Sequence, residues 1–508
     1  MRLCTYAILI VLLILGVSNH GFVMNISGKT QILHPIGQLE EVRGLTLSEP
    51  LSLQYSDVQQ TSRTEKFDAE GFQRTFWIQN FTDFTHYIVS ATLLALGEFS
   101  AVFITNTCIT IVGESTAIEY AENIREEFDT TIFPRITDLA GHPNGTLGDI
   151  DGDQRIVILV SQNLVSYYSQ ANELPNSPSN PYSNECEMFY IYYWTWLLPT
   201  LAHEFHHLIW FNSEMDEQQF ALEGLATYAQ YYAGYLDPYN NLDLRVPAFL
   251  AHPEDSLLYW NGFNEAGLSS SIDYGGAYLF AFYIAEQYGV DILRNLISEP
   301  TDGPEGIEAT LQAAGYALNF NDLYLDWITA VTLDELGFNN NRYGFEDLDA
   351  RISNYTSVNL PHHQQSLSLR YYGIHVHKIA FPSNNFSIQI HKISNTTIGL
   401  SIAYHDIHGW QVHKHILTDE QTSFTDNIVG SEIDEAHIIT SYLSNSTPPG
   451  HREYGLGPST TIQLTLTTIS PTPRSPFDIR GIFVIIVTIA IAIAIAVVII
   501  IRKQHHLD

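Results

Sequence analysis

Basic residues are scarce in this chain. Its 508 residues include 22 Lys and Arg against 56 Asp and Glu, which gives a formal net charge of −34. Nucleic acids and anionic lipid surfaces are bound through clusters of Lys and Arg, so we expect neither as a partner. The acidic exterior that remains is consistent with an ectodomain or with the binding of divalent cations.

Cysteine is scarce as well, with three residues in the whole chain. Cys4 belongs to the apolar N-terminal segment, which leaves Cys108 and Cys186. Neither belongs to a cysteine cluster of the kind that binds metal, and neither resembles a thiol nucleophile. In an oxidising compartment the two could form one disulfide. Two separate buried thiols are the equal alternative.

The N-terminal segment, residues 1–20, has the pattern of a signal peptide. Arg2 supplies the positive charge, and the unbroken apolar run of residues 7–15 is too short to span a bilayer. An uncleaved anchor is the alternative.

The C-terminal segment, residues 481–501, consists almost entirely of Ile, Val and Ala, which suits a hydrocarbon core of about 30 Å. Arg502 and Lys503 follow at once, and basic residues remain on the cytoplasmic side. We therefore expect a single-pass cell-membrane protein with an extracellular N-terminal ectodomain. The basic residues make a lipid anchor in place of the helix the weaker alternative. Seven N-glycosylation sequons fit a glycosylated outer surface: Asn25, Asn80, Asn144, Asn354, Asn385, Asn395 and Asn445.

The segment TLAHEFHHLIWF, residues 200–211, contains His203, Glu204 and His207 in the pattern HExxH. Residues four apart share one face of a helix, so both histidines can bind one metal ion. Zinc suits such a site, because catalytic zinc takes three protein ligands and leaves one position for water. Glu204 lies where its carboxylate can accept a proton from that water as general base. His206 faces about 100° away from His207, so we expect it on the helix surface or beside the ligands.

A third ligand is required, and Glu223 is the best candidate. It follows His207 by 16 residues and lies in residues 220–232, FALEGLATYAQYY. The spacing of Ala and Leu in that stretch predicts a second helix. Two neighbouring helices would then supply two imidazoles and one carboxylate.

These motifs resemble the hyicolysin-type neutral zinc metallopeptidases of the gluzincin group. The similarity rests on residues 200–209, on residues 222–226 (LEGLA) and on the turn at residues 148–153 (GDIDGD), which leads into an apolar strand. The resemblance implies zinc on the two histidines and Glu223, general-base catalysis by Glu204, and hydrolysis of peptide bonds. It also implies a zincin-like domain in which a mixed sheet accompanies the zinc-binding helices.

Two positions depart from the pattern of this group. Many relatives have Asn where this chain has Leu222, so the resemblance does not imply for this chain a substrate contact through that amide. In thermolysin-like members a carboxylate four residues after the ligand Glu orients a zinc histidine, whereas this chain has Thr227 there. Another residue must therefore orient the ligands.

Three alternating carboxylates, Asp149, Asp151 and Asp153, lie in the Gly-containing turn before a predicted strand at residues 155–160. Carboxylates at this spacing can bind Ca²⁺. A complete EF-type loop would also need an acidic residue near Val160, which is lacking. A solvated Asp/Gly turn is the alternative.

Two further groups of residues are candidates for chemistry. Tyr274 lies at the start of a predicted helix, residues 269–288, where its phenol could donate a hydrogen bond to an oxyanion; simple packing is the alternative. Histidines two apart in predicted strands, as at residues 375 and 377 and at His413 and His415, face one side and could hold metal. Surface positions on strands are the alternative for both pairs.

The remaining patterns predict the secondary structure. Alternation predicts strands at residues 72–80, 85–94, 101–112 and 187–194, and helical periodicity predicts a helix at residues 116–129 with Ile118 and Phe128 on its apolar face. Residues 173–186 are expected to form an exposed loop. Six short strands follow, which indicates a β-sandwich: residues 366–380, 386–393, 397–404, 410–417, 436–443 and 460–468.

The expected fold class is α+β, with a zincin-like metallopeptidase domain, an all-β sandwich and one transmembrane helix. The expected segments are a signal peptide (1–20), a lead-in or pro-segment (21–64), the metallopeptidase domain (65–360), the sandwich (361–469), a linker (470–480), the transmembrane helix (481–501) and a cytoplasmic tail (502–508). The expected function is that of a cell-surface zinc endopeptidase, with Zn²⁺ and optionally Ca²⁺ as cofactors, acting on protein or peptide substrates. The alternatives are an inactive zincin-fold binding or adhesion protein and a zinc hydrolase of a non-peptide bond.

Overall fold

The computed structural model describes residues 22–26, 29–33, 69–143, 150–162, 165–193, 197–214, 217–236, 244–260, 270–380, 382, 385–450 and 454–469. The predicted signal peptide, linker, membrane span and cytoplasmic tail all lie outside these ranges. Within them, no helix combines the length and the apolar character needed to cross a bilayer. In the lead-in segment, β1 (Phe22–Ile26) and β2 (Lys29–Leu33) pair as an antiparallel hairpin.

A six-stranded mixed sheet lies at the centre of the N-terminal half. Its strands are β3 (Gln73–Gln79), β4 (His86–Leu96), β5 (Ser100–Thr105), β6 (Ile156–Ser161), β7 (Tyr167–Tyr168) and β8 (Met188–Tyr192), in the order β3-β4-β5-β6-β8-β7. Strands β5, β6 and β8 are parallel, and the other pairs are antiparallel. All residues of β5 and β6 are buried, as is usual for parallel strands covered on both faces.

Helices cover one face of this sheet and continue beyond it. They are α1 (Asn106–Val112), α2 (Glu114–Glu127), α3 (Phe133–Ala140), α4 (Leu197–Ser213), α5 (Gln219–Tyr232), α6 (Arg245–Ala251), α7 (Ser270–Tyr288), α8 (Val290–Leu296), α9 (Gly303–Ala313) and α10 (Phe320–Leu333). A π-helical turn, Phe128–Ile132, joins α2 to α3. The predicted helices that carry the HExxH motif and Glu223 correspond to α4 and α5.

The structure corrects two predictions in this region. Residues 101–112 were predicted as one strand because of their Ile and Val content, but the strand ends at Thr105 and α1 follows, with Cys108 buried and Ile111 exposed. In α2 the core face includes Ala117, whereas Ile118 is 41% exposed. In both places the contact with the sheet, and not the residue type, decides which side chain is buried.

The two cysteines do not form the disulfide that was one of the sequence alternatives. Both are buried free thiols. Cys108 packs with the helices on one face of the central sheet, and Cys186 packs with Phe76 and Leu159 on the other face. The sheet therefore separates the two sulfur atoms.

The C-terminal part of the described chain is a sandwich of two sheets. Its strands are β9 (Thr356–Val358), β10 (His362–Arg370), β11 (His375–Ile379), β12 (Asn385–Lys392), β13 (Thr397–Asp406), β14 (Gly409–Leu417), β15 (Ser423–Val429), β16 (Glu435–Leu443) and β17 (Ser459–Thr468). One sheet has the order β10-β17-β12-β15, and the other has the order β14-β13-β16-β11-β9. A shared core with Leu367, Ile388, Ile402, Ile438 and Leu464 lies between them.

The sandwich has more strands than the sequence predicted. The predicted strand 366–380 is divided between β10 and β11, which belong to different sheets. The sequence SFTDNIV of β15 was not predicted as a strand, because three consecutive polar residues separate Phe424 from Ile428 and interrupt the alternation.

The sandwich packs tightly on α10. Asp326 of that helix is fully buried and forms ion pairs with Arg342, at 3.0 Å, and with Lys414 of β14. Thr329 Oγ1 lies 2.8 Å from Ser401 Oγ of β13. These contacts join the second sheet of the sandwich to the helical part of the molecule.

Candidate metal centre

Helix α4 is apolar around most of its circumference and is buried on all sides, with Leu201, Phe205 and Leu208 in the core. A helix of this kind belongs to the interior of a protein. His203 and His207 are its polar exceptions that face α5. Their ring centroids lie 4.6 Å apart at an interplanar angle of 84°.

Helix α5 places Glu223 opposite the two histidines. The next residue, Gly224, allows α5 to approach α7 closely, since a Cβ atom at this position would lie 2.6 Å from the carbonyl oxygen of Ala277. No larger residue fits at that distance. The glycine of the Glu-Gly-Leu sequence therefore fixes the distance between the two helices, and with it the position of the Glu223 carboxylate.

Three donor atoms meet at this point. His203 Nε2 lies 3.0 Å from His207 Nε2 and 3.0 Å from Glu223 Oε2, and His207 Nε2 lies 3.5 Å from the same oxygen. The ligands of a tetrahedral zinc ion, with bonds of about 2.0–2.1 Å, lie about 3.3–3.4 Å apart. The spacing and the donor types, two imidazoles and one carboxylate, therefore fit zinc.

The charge of Glu223 suits a cation. Burial alone would raise the pKa of its carboxyl group, but the adjacent His207 and His203 rings outweigh burial and hold that pKa well below its usual range. Glu223 is thus an ionised carboxylate in a site that is nearly closed to solvent, with His207 the most exposed ligand at 7%. A buried negative charge is stable only beside a positive partner or strong donors.

Gln219 is a functional residue that the sequence analysis missed. Its Nε2 donates a hydrogen bond of 2.9 Å to Glu223 Oε1, the oxygen that faces away from the histidines. The signal was its position four residues before Glu223 on the same helix. Gln219 thus orients the Glu223 carboxylate. Thr227, buried on the same helix, has no carboxylate with which to orient a histidine.

Glu204 and His206 both lie inside the molecule, each with no solvent exposure. Of the two positions expected for His206, the structure excludes the helix surface and places its ring beside that of His207, with centroids 6.5 Å apart. Its ring contacts Trp210, with centroids 5.6 Å apart, and burial together with the neighbouring His207 ring lowers its pKa well below the usual value. His206 is therefore a neutral packing residue behind the ligands.

Tyr274 lies close to the ligands but packs among other side chains. Its ring centroid is 6.4 Å from that of His203 and 4.9 Å from that of Trp260, in an edge-to-face contact. The Arg245 guanidinium lies 5.9 Å above the same ring. Tyr278, one turn later, is buried as well.

The structure gives no support to calcium at the acidic turn. Asp149 lies outside the described residues. Asp151 Oδ1 accepts the backbone N–H of Asp153 at 2.9 Å, and the Asp153 carboxylate forms an ion pair with Arg155, whose Nε lies 2.7 Å away. The described part of the turn is therefore occupied by internal contacts.

The loop at residues 173–186 was expected to be exposed, and for part of the loop this prediction was wrong. Glu173 and Asn184 are buried at its two ends. Glu173 accepts a hydrogen bond of 2.8 Å from the Tyr168 hydroxyl. Burial and the neighbouring Glu187 raise the pKa of its carboxyl group to about 8.

The comparisons with known proteins give a distant relative among the metalloproteases. No protein-family model matches the sequence. The chain is 25% identical over 236 residues to the neutral metalloprotease ShpI of Staphylococcus hyicus, in an alignment that covers 40% of this chain and 51% of that protein. The chain thus spans about half the length of this curated relative. The similarity supports a distant relationship to metalloproteases.

Solved structures give only low overall similarity. The pre-peptidase C-terminal domain of a Bacillus anthracis collagenase matches 23% of this chain and 98% of its own, at 10% identity and a TM-score of 0.16. The Aeromonas hydrophila lysozyme inhibitor PliG matches 23% of this chain and 97% of its own, at 12% identity and a TM-score of 0.15.

Proposed function

We propose that this chain is a zinc-dependent endopeptidase that is displayed on the outer face of a cell membrane. The observation that carries the proposal is the meeting of His203 Nε2, His207 Nε2 and Glu223 Oε2 within 3.5 Å of one another. Glu204 belongs to the same helix, one residue after the first ligand. The distant similarity to a neutral metalloprotease supports the same reaction class.

The residues divide the work between binding and proton transfer. The two imidazoles and the Glu223 carboxylate would hold the ion, with Gln219 fixing the orientation of the carboxylate. A bound zinc ion supplies a Lewis acid that polarises a carbonyl group and lowers the pKa of water at its open position.

Glu204 is proposed as the general base. Its carboxylate accepts a proton from the water that attacks the peptide carbonyl carbon. It then delivers this proton to the amide nitrogen as the carbon–nitrogen bond breaks. Proton transfer of this kind contributes about 10²–10⁴-fold to a rate. Tyr274 remains a candidate donor to the oxyanion, which would require its hydroxyl to reach the substrate carbonyl.

The substrates proposed are proteins or peptides outside the cell. The signal segment at residues 1–20 and the apolar segment at residues 481–501 are the basis for this location. The scarcity of Lys and Arg, 22 residues in 508, favours substrates that are not polyanions.

The decisive experiment compares Glu204→Gln with the wild-type protein. We expect the variant to retain one zinc ion at this centre and to lose peptide hydrolysis by at least a hundredfold, because Gln cannot accept the proton. Glu305→Gln, at an exposed position of α9, is the matched control and should retain wild-type activity. Zinc is measured by elemental analysis and hydrolysis with a library of peptides, with and without a chelator.

The same experiment separates the alternatives. A wild-type protein without zinc at this centre would indicate an inactive binding or adhesion protein built on the same fold. A zinc-containing protein that consumes only non-peptide esters or amides would indicate a different hydrolase. Full activity of Glu204→Gln would contradict the general-base role.

A further inference from the structure

A second group of metal-ligating side chains lies far along the chain, on the sandwich. Its members are His413 and His415 of β14 and Asp426 of β15. Strand β14 is the edge of the five-stranded sheet, and β15 is the edge of the four-stranded sheet. The cluster therefore bridges two sheet edges that are not paired with each other among the described strands.

The geometry of the cluster converges on one carboxylate oxygen. His415 Nε2 lies 3.1 Å and His413 Nδ1 lies 3.4 Å from Asp426 Oδ2. All three ligand atoms lie within 4.8 Å of one another. The other oxygen of the carboxylate, Oδ1, accepts the backbone N–H of Asn427 at 2.8 Å, which holds Oδ2 towards the two rings.

The strand explains why the two histidines act together. Side chains two apart on a strand point to the same side, so His413 and His415 face Asp426, while Lys414 points away and pairs with Asp326 of α10. The positive charge of Lys414 is thus turned away from the cluster. Phe424 packs against the His415 ring, with centroids 4.6 Å apart, and restricts its rotation.

Other histidines of the sandwich lack this arrangement. His377 Nε2 lies 2.8 Å from the amide oxygen of Gln364, and a neutral amide is a weak metal ligand. His405 pairs with Asp434 at 2.8 Å, but this pair has a single imidazole. In the part of the chain that the structure describes, two imidazoles and a carboxylate meet only here and at the α4–α5 centre.

We propose that His413, His415 and Asp426 form a second metal site, which binds a divalent transition-metal ion of the zinc, nickel or copper type and ties the edges of the two sheets together. Two nitrogen ligands and one oxygen ligand favour these ions over Ca²⁺ and Mg²⁺, which prefer oxygen alone. The side chains are 42%, 33% and 22% exposed, so an ion can enter from solvent and keep water on its remaining positions. The site does not depend on the ligands of α4 and α5.

The test counts zinc ions in the full chain after equilibration with buffered zinc. In the wild-type background, His413→Asn/His415→Asn should reduce the number of bound ions per chain by one, and Asp426→Asn should weaken the second site at least tenfold. The matched control is His405→Asn, which removes an exposed histidine from a His–Asp pair and should leave the number unchanged. The same substitutions are then made in a His203→Asn/His207→Asn background. There the protein with His405→Asn should bind one zinc ion per chain, and the protein with His413→Asn/His415→Asn should bind none.

The readout is independent of catalysis. Circular dichroism without metal should give the same spectrum for the sandwich variants within one background, which shows that they fold alike. In the His203→Asn/His207→Asn background, zinc should raise the melting temperature only where the sandwich site is intact. If His413→Asn/His415→Asn binds as many zinc ions with the same affinity as His405→Asn, the cluster is only a histidine–carboxylate ion pair and the proposal fails. If the wild-type chain binds zinc at the sandwich site but not at the α4–α5 centre, the proposed peptidase function is contradicted and the proposal of the sandwich site still holds.

Discussion

Gln219 Nε2 donates a hydrogen bond to Glu223 Oε1 across 2.9 Å, and both side chains are buried on one helix. The opposite oxygen, Oε2, faces the two histidines at 3.0 and 3.5 Å. A carboxylate can rotate to offer either oxygen, so the amide decides which one is presented to the ion. The orientation of the third ligand thus depends on an uncharged neighbour one turn before it.

Removal of this amide should weaken zinc binding. Partners that orient a metal ligand typically contribute about 10–100-fold to metal affinity, and we expect a loss in that range for Gln219→Ala, measured by competition with a chromophoric chelator. The control is Gln312→Ala, which breaks a Gln–Glu pair of the same spacing, with Gln312 Nε2 3.0 Å from Glu308 Oε1, on the exposed side of α9. Equal zinc affinity in the two variants would show that Glu223 is oriented by other contacts.

Gly224→Ala should destabilise the protein although alanine is the better helix former. Helix propensity alone would favour alanine by about 1 kcal/mol. The added methyl group would lie 2.6 Å from the Ala277 carbonyl oxygen, and overpacking of this kind costs about 1–3 kcal/mol. Thermal unfolding shows whether Gly224→Ala raises or lowers the stability. Zinc affinity should decrease as well, because Glu223 moves with the helix. A higher melting temperature for Gly224→Ala would mean that this contact does not limit how closely α5 and α7 approach each other.

Glu173 should make stability depend on pH. Burial, and to a smaller extent Glu187, raises its pKa from the usual 4.5 to about 8 in the folded protein. Between these values the folded state keeps a proton that the unfolded state releases, so stability decreases as the pH rises through this window. Glu173→Gln is neutral throughout and should be the more stable protein near pH 8, with a smaller difference near pH 5.

The measurement is the melting temperature of Glu173→Gln relative to the wild-type protein at several pH values across that window. Glu305→Gln, which replaces an exposed carboxylate, should show a constant difference. A difference that does not change with pH for Glu173→Gln would show that this carboxyl group is ionised in the folded state.

The two cysteines should behave as protected thiols. Burial raises the pKa of Cys108 to about 11 and that of Cys186 to about 12, and the thiolate is the reactive form. We expect neither to react with iodoacetamide in the folded protein and both to react in denaturant without prior reduction, as detected by peptide mass spectrometry. Reductant should leave the melting temperature unchanged. A shift on reduction would mean that a disulfide contributes to stability.

Much of the candidate site follows from spacing along single helices. The helical period sets His203 and His207 on one face, and the resemblance to the gluzincin pattern, together with a second predicted helix, indicated Glu223 as the third ligand. Burial of His206 was not predictable in the same way, because a helix surrounded on all sides has no surface face, and only the packed neighbours reveal this.

In the sandwich, only part of the candidate site could be predicted from the sequence. The pair His413 and His415 was visible in the sequence, but Asp426 comes from a strand whose pattern is too weak to predict and which belongs to the other sheet. Contacts between sheets depend on topology, and strand alternation alone gives no information on which edges meet.

The packing of α10 against the sandwich bears on how the protein can be divided. Tyr372, Ile439 and Leu443 belong to the same apolar cluster as the helices of the metal centre, and the Tyr372 ring contacts Tyr324 of α10 at 4.8 Å. A fragment that ends near residue 360 would leave this apolar surface and the buried charge of Asp326 open to water. Expression of the N-terminal part by itself should therefore give an aggregating product, because the sandwich completes the folding unit that contains the metal centre and is not a detachable accessory.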